Sequence, residues 1–148
     1  MFENRIIHIL IPVIIAIILN YIIKVKNWNN KKIERGLLPK GYYVGIIWII
    51  IFIFLGNAHY ILYKKSKVSI ASIFLIMVLI YCISYPIITQ FKQKKGKIMN
   101  TISLILSSIL MLVVYNKSIE AFYYTVPLFI WASFVNYSDA IICSTEKF

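Results

Sequence analysis

Five apolar runs divide the chain, at about Ile6–Ile23, Tyr42–Tyr63, Val68–Phe91, Ile98–Tyr115 and Ala121–Cys143. Each run is continuous rather than alternating. Each approaches or exceeds the ~20 helical residues that cross a ~30 Å hydrocarbon core. The first four contain no Asp, Glu, Lys or Arg, and Asp139 is the single acidic residue of the fifth. In lipid every backbone polar group must bond internally, which leaves helices or a closed barrel. Unbroken apolar runs without a period of two select helices. The pattern predicts an all-α fold over residues 1–148, a single integral membrane bundle of five transmembrane helices. Short connections make most consecutive spans antiparallel neighbours. The first run is preceded by Arg5, but it is long, contains Pro12, lacks a small-residue cleavage site and ends in Lys24 and Lys26. It reads as a retained span, not a signal peptide.

Composition agrees with that pattern. Hydrophobic residues make up 61% of the 148, charged residues 14%, and mean hydropathy is +0.82. A soluble domain averages about 45–50% apolar and about 25% charged, so this chain lacks the polar surface to cover a water-soluble globule. The net charge of +11 would suggest nucleic acid in a soluble protein. Here the lysines sit between apolar runs, where they face lipid headgroups. Arg5, Lys64, Lys65, Lys67 and Lys117 fall on one side of a five-span bundle, and the other eleven basic residues on the opposite side. The excess of positive charge marks the cytosolic side, so the N-terminus is expected outside and the C-terminus in the cytosol. The connection 24–41 is the longest and most polar. It is a candidate lid, or a basic loop lying on headgroups. Cys82 and Cys143 lie inside apolar runs with no metal or redox spacing and read as packing residues.

Span two carries Gly45, Trp48, Phe52, Gly56 and His59 at steps of three or four, so they share one helix face. The glycines remove side chains and admit a neighbouring helix. Trp48 and Phe52 then point inward, as packing or as a flat wall for a planar ligand. In span five Pro127, Trp131, Val135 and Asp139 recur every four residues. Pro127 is expected near the helix start, where backbone N–H groups lack helical partners anyway. A carboxylate at the bilayer centre costs roughly 2.5–3.5 kcal/mol, so Asp139 reads as an interfacial group near the span's end. Pro86 is expected to bend span three, with Tyr81, Ser84 and Tyr85 just before it to occupy freed polar positions or line a cavity. Ser103 and Ser107 form a small-residue packing face in span four. His8 and His59 have no His, Cys or carboxylate at ligand spacing and read as helix-end or satisfied residues, not haem or metal ligands.

Conventional catalysis has no support: there is no Ser/His/Asp or Cys/His set, no paired acids, no HExxH and no phosphate loop. A proton-coupled exporter normally keeps a carboxylate near mid-span, and none is present in the first four runs.

Two stretches and their spacing resemble the TspO/MBR (translocator protein, tryptophan-rich sensory protein) family. The segment NWNNKKIERGLLPKGYYVGIIWIIIFIFLGNAHYILY is similar, without gaps, to the family's first-loop and second-span motif at Trp28, Pro39, Tyr42, Gly45, Trp48, Phe52 and Gly56. The segment AFYYTVPLFIWASFVNYSDAII is similar to its fifth-span motif at Ala121, Pro127, Trp131 and Phe134, and Pro86 matches a third-span proline. The family's Lys-Pro pair is Glu34-Arg35 here, its third-span Asn and Trp are Tyr81 and Ser84, and its fifth-span Asn is Asp139. The cholesterol-recognition stretch is absent.

The resemblance implies a pocket in the bundle, covered by the first loop, for a porphyrin (protoporphyrin IX or haem-like) or another flat apolar or sterol-like molecule. No cofactor is required. Its ligand-binding residues are Trp28, Tyr42, Tyr43, Trp48, Phe52, Tyr81, Trp131, Val135 and Asp139, and its helix-packing residues Gly45, Gly56, Pro86, Pro127, Ser103 and Ser107. It also implies a sensor, regulator or carrier that forms homodimers. The competing readings are an unrelated small transporter or accessory subunit, and an enzyme breaking down porphyrin through a photo-excited Trp.

Overall fold

The computed structural model describes residues 4–26, 41–91 and 96–146, and within these not the side chains at 41, 42, 86, 89–91, 96 and 142–146. Trp28 and most of the candidate lid 24–41 lie outside the described residues, as do the side chains of Tyr42, Pro86 and Cys143.

The described residues form five helices: α1 (Arg5–Val25), α2 (Gly41–Lys65), α3 (Ile70–Phe91), α4 (Gly96–Lys117) and α5 (Ile119–Glu146). They overrun the apolar runs at most ends, because helix termini extend into polar and basic residues that cap or charge them. Asn4 caps α1 by accepting the Ile6 N–H at 3.0 Å, and Ser69 does the same for α3 through the Ser72 N–H. Ser118 opens α5 by accepting the Ala121 N–H at 3.3 Å. Lys65 reaches from the end of α2 to the Lys117 carbonyl at the end of α4, 3.2 Å away, and a cation there suits the helix C-terminus.

The earlier start of α5 changes the role of Pro127. It lies two turns inside the helix rather than at its first position, so the Tyr123 carbonyl receives no helical N–H from it. Pro12 does the same to the His8 carbonyl within α1. The helix α3 continues through position 86.

Helices α2, α5, α4 and α3 close a ring in that spatial order, and α1 packs chiefly along α2 and more lightly on α3. The consecutive pair α2–α3 is the lightest contact of that ring, and α5 is the heavier partner of α2. Cross-links tie opposite ends together as antiparallel packing requires. Arg5 in α1 donates to Asn57 near the end of α2 at 2.8 Å, and Tyr81 in α3 donates to the Met99 carbonyl at the start of α4 at 2.7 Å. The five basic residues Arg5, Lys64, Lys65, Lys67 and Lys117 consequently gather at one end of the bundle.

The exterior is the reverse of a soluble helical bundle's, and small polar side chains interrupt the apolar core. Exposed positions of α1 include Ile6, Leu10, Ile14, Ile17 and Ile18, while Ser72, Ser107, Thr125, Ser138 and Asn100 are buried. Small hydroxyl residues inside and aliphatic residues outside are what lipid as solvent selects. Among the described residues no buried side-chain nitrogen or oxygen lacks a hydrogen-bond partner. Among the described residues three helices are long and apolar enough to cross a membrane, Arg5–Val25, Tyr43–Lys65 and Lys97–Lys117, and Ile70–Tyr85 is a shorter apolar helix. Helix α5 intersperses its Tyr, Phe and Trp residues with Thr, Ser, Asn and Asp.

Candidate functional site

Backbone approach sets the geometry of α2. A Cβ on Gly56 would meet the His8 carbonyl oxygen at 2.6 Å and Ile9 Cα at 2.8 Å, so only glycine lets α1 lie this close. At Gly45 the corresponding neighbour is the Asn20 amide, 3.1 Å away. The face predicted from Gly45, Trp48, Phe52, Gly56 and His59 is therefore the face turned toward α1. Helix α5 meets α2 elsewhere. Phe54 contacts Tyr124 with ring centroids 5.9 Å apart, and nine residues separate it from Gly45, about half a turn round the helix.

The interior aromatics fall into pairs. Trp48 lies 5.7 Å from Phe52 within α2, and Trp131 lies 5.8 Å from Phe134 within α5. Phe52 is buried, whereas both indoles are half-buried and packed against the same core cluster, which includes Leu55, Leu62, Leu75 and Leu110. Trp131 is two turns on from Tyr124 and so shares the α2-facing side of α5. The two indoles thus reach the common core from different sides of α2. Tyr43, by contrast, is 56% exposed.

A second group joins α3, α4 and α5 at the end where α4 begins. Asn100 donates its amide to Asp139 Oδ2 at 2.7 Å. Asn136 donates to the Asn100 carbonyl at 2.8 Å and to Ala132 at 2.7 Å. Thr101 bonds Asn136 Oδ1 at 3.3 Å, and Tyr81 binds the neighbouring Met99 carbonyl. Asp139 is half-buried and held by an amide. Val135 is buried on the same helix. Ser84 turns its hydroxyl to the Tyr81 carbonyl at 2.8 Å. Ser103 and Ser107 bond carbonyls of their own helix, at 2.9 Å each, and the buried Ser107 offers its neighbours only a small side chain.

A third group lies at the opposite end, and sequence spacing missed it. His8 Nδ1 and His59 Nδ1 are 2.8 Å apart, and His59 Nε2 is 3.2 Å from Ser72 Oγ. The two histidines are not isolated: antiparallel packing of α1 on α2 brings together residues that are 51 apart in sequence. His8 also contacts the rings of Tyr60 and Tyr63 at 5.6 and 5.1 Å. Among the described residues no group of three His, Cys, Asp or Glu side chains could hold a metal ion.

No curated protein and no solved structure matches the chain. The model of the TspO/MBR family matches residues 8–143, nearly its whole length. That span takes in α2, α3 and α4 whole and most of α1 and α5, with the α1-facing glycines, both interior indoles and both polar groups. With apolar helices long enough to cross a bilayer and an aliphatic exterior, the chain belongs to the TspO/MBR family and is an integral membrane protein of that type.

Proposed function

We propose that this chain crosses the membrane five times, with its N-terminus outside and its C-terminus in the cytosol, and binds a porphyrin or similar flat apolar ligand within the bundle as a sensor, regulator or carrier. The observation that carries the ligand reading is the state of Trp48 and Trp131. Both are half-buried, each stands beside a second ring, and both border one core cluster that Tyr60, Phe74, Phe122 and Tyr124 also line. Half-buried indoles offer flat faces on which a tetrapyrrole could stack, at about 0.5–1.5 kcal/mol per ring beyond area burial. Lysines of the first and third loops supply cations for its propionates. Asp139 and Tyr81 give the same end of the interior a polar lining, and a homodimer would use faces bearing small residues.

Titration of the purified protein with protoporphyrin IX, read by the shift of the porphyrin absorption band and by Trp quenching, tests the ligand. Saturable binding should weaken about tenfold or more in the Trp48→Ala, Trp131→Ala double variant, since two stacked rings are worth on the order of 1–3 kcal/mol. Equal binding by wild type and double variant would end this reading, as would no binding by folded wild type. The topology rests on the gathering of five basic residues at one end and eleven elsewhere in the sequence. In intact cells a membrane-impermeant maleimide should label Lys67→Cys in a Cys82→Ala, Cys143→Ala background. Labelling only after lysis would reverse the orientation.

A further inference from the structure

We infer that His8, His59 and Ser72 form a proton-sensitive clamp that fastens α1 and α3 to α2 at one end of the bundle. It stands apart from the ligand reading and uses none of the residues assigned there. The chain of contacts is Ser72 Oγ to His59 Nε2 at 3.2 Å, then His59 Nδ1 to His8 Nδ1 at 2.8 Å. It crosses three helices. His8 is only 6% exposed and Ser72 4%, so water is a poor substitute for either partner.

Two ring nitrogens at 2.8 Å need one N–H and one lone pair between them. With both rings neutral, one donates and the other accepts. With one proton added, the imidazolium has two N–H groups. If His59 carries it, one points to His8 and the other to Ser72 Oγ, and every contact is kept. A second proton puts N–H groups on both facing nitrogens. The central bond then has no acceptor, and two like charges face each other across 2.8 Å. The clamp holds with zero or one proton and fails with two.

The surroundings make the second charge harder to accommodate. From α1, Arg5 lies 5.5 Å from the Tyr60 ring centre, and from α2, Lys64 lies 5.1 Å from it. That ring itself contacts His8. Tyr63 of α2 is a second tyrosine ring against His8, and the first turns of α3 add the hydroxyls of Ser69 and Ser72 but no titratable side chain. A metal ion fits this place less well than a proton. The described residues provide no third His, Cys, Asp or Glu ligand, and two fixed cations stand nearby.

The consequence is local. Helix α1 depends on α2, with lighter support from α3, and its backbone comes close to α2 at Gly56, beside the His8 carbonyl. Loss of the histidine bond frees the N-terminal half of α1 from α2 while the α2–α5–α4–α3 ring stays intact.

The test measures the distance between spin labels on Ile6→Cys and Lys67→Cys, both exposed, by pulsed EPR in nanodiscs with Cys82→Ala and Cys143→Ala. Between about pH 7.5 and about pH 5, a range that brackets the ordinary histidine titration, wild type should pass from one narrow distance to a longer, broader distribution. His8→Asn should stay narrow throughout, because an amide replaces the Nδ1 contact without taking up a proton. His59→Asn serves as the second variant should His8→Asn not fold, and should likewise be insensitive to acid. An unchanged wild-type distribution overturns the clamp. So does equal broadening in wild type and the Asn variant.

Discussion

The two ends of the bundle solve one problem with different chemistry. Each buries polar side chains among apolar helices, and each links helices through them. At the end where α1 begins, the partners are imidazoles and a hydroxyl on α1, α2 and α3. At the end where α4 begins, they are two carboxamides, a tyrosine hydroxyl and one carboxylate on α3, α4 and α5. The two carboxamides of the second end cannot exchange a donor for an acceptor by taking a proton. The imidazole end can. The difference teaches that a buried polar contact is a fixed joint or a conditional one according to the titration of its members, not their burial.

The strongest way to break the comparison is steric. Gly56→Leu drives a side chain into the backbone of α1 at His8 and Ile9, where the Cβ alone would already come within 2.8 Å of two atoms. Backbone cannot rotate aside, so the expected loss is about 3 kcal/mol or more, read as a lowered unfolding midpoint in mixed micelles. Stability equal to wild type would mean that α1 does not pack on α2 as described. Next in size is Asn100→Leu, which leaves the Asp139 carboxylate half-buried without its amide donor. A hydrogen bond to a charged group is worth about 1.5–3 kcal/mol. Adding Asp139→Leu should recover part of that loss, because the carboxylate no longer stands without its donor, although Tyr85 still lacks its bond to Asn100. Additive losses in the double variant would show that the pair is not coupled. The smallest effect sharpens the first. Gly45→Ala meets only the end of the Asn20 side chain, which can turn away, and alanine gains about 1 kcal/mol of helix propensity. The net change should lie within about 0.5 kcal/mol of zero, so two glycines on one face should differ severalfold in consequence.

Legibility in the sequence varied with the range of the interaction. The helices were legible because an apolar run of sufficient length has few other ways to satisfy its peptide groups. The shared face of Gly45, Gly56 and His59 was legible from a spacing of three and four. What that face touches was not, because helical period says which residues are together and not which neighbour they meet. The end of α5 was misjudged for a local reason: its first turn, Ile119 and Glu120, contains a charge, so the apolar run began too late and Pro127 seemed to sit at the helix start. The capping hydroxyl of Ser118 was the available sign. For His8 and His59 no signal existed within either segment. For Asp139 the signal was partial, since a carboxylate in an apolar run demands a partner, but nothing along the chain named Asn100.

The sequence by itself determined the class of solvent, the number and approximate extent of the helices, and membership of a family whose motifs it keeps in part. These follow from properties summed over many residues, which no single contact can overturn. Only the tertiary structure decided that α1 rests on Gly56, that the two indoles come to the core from different sides of α2, and that two histidines and one carboxylate find partners on other helices. Those outcomes depend on how helices rotate and slide against each other. That choice is made by a few ångströms of backbone clearance, a quantity the order of residues along the chain does not contain.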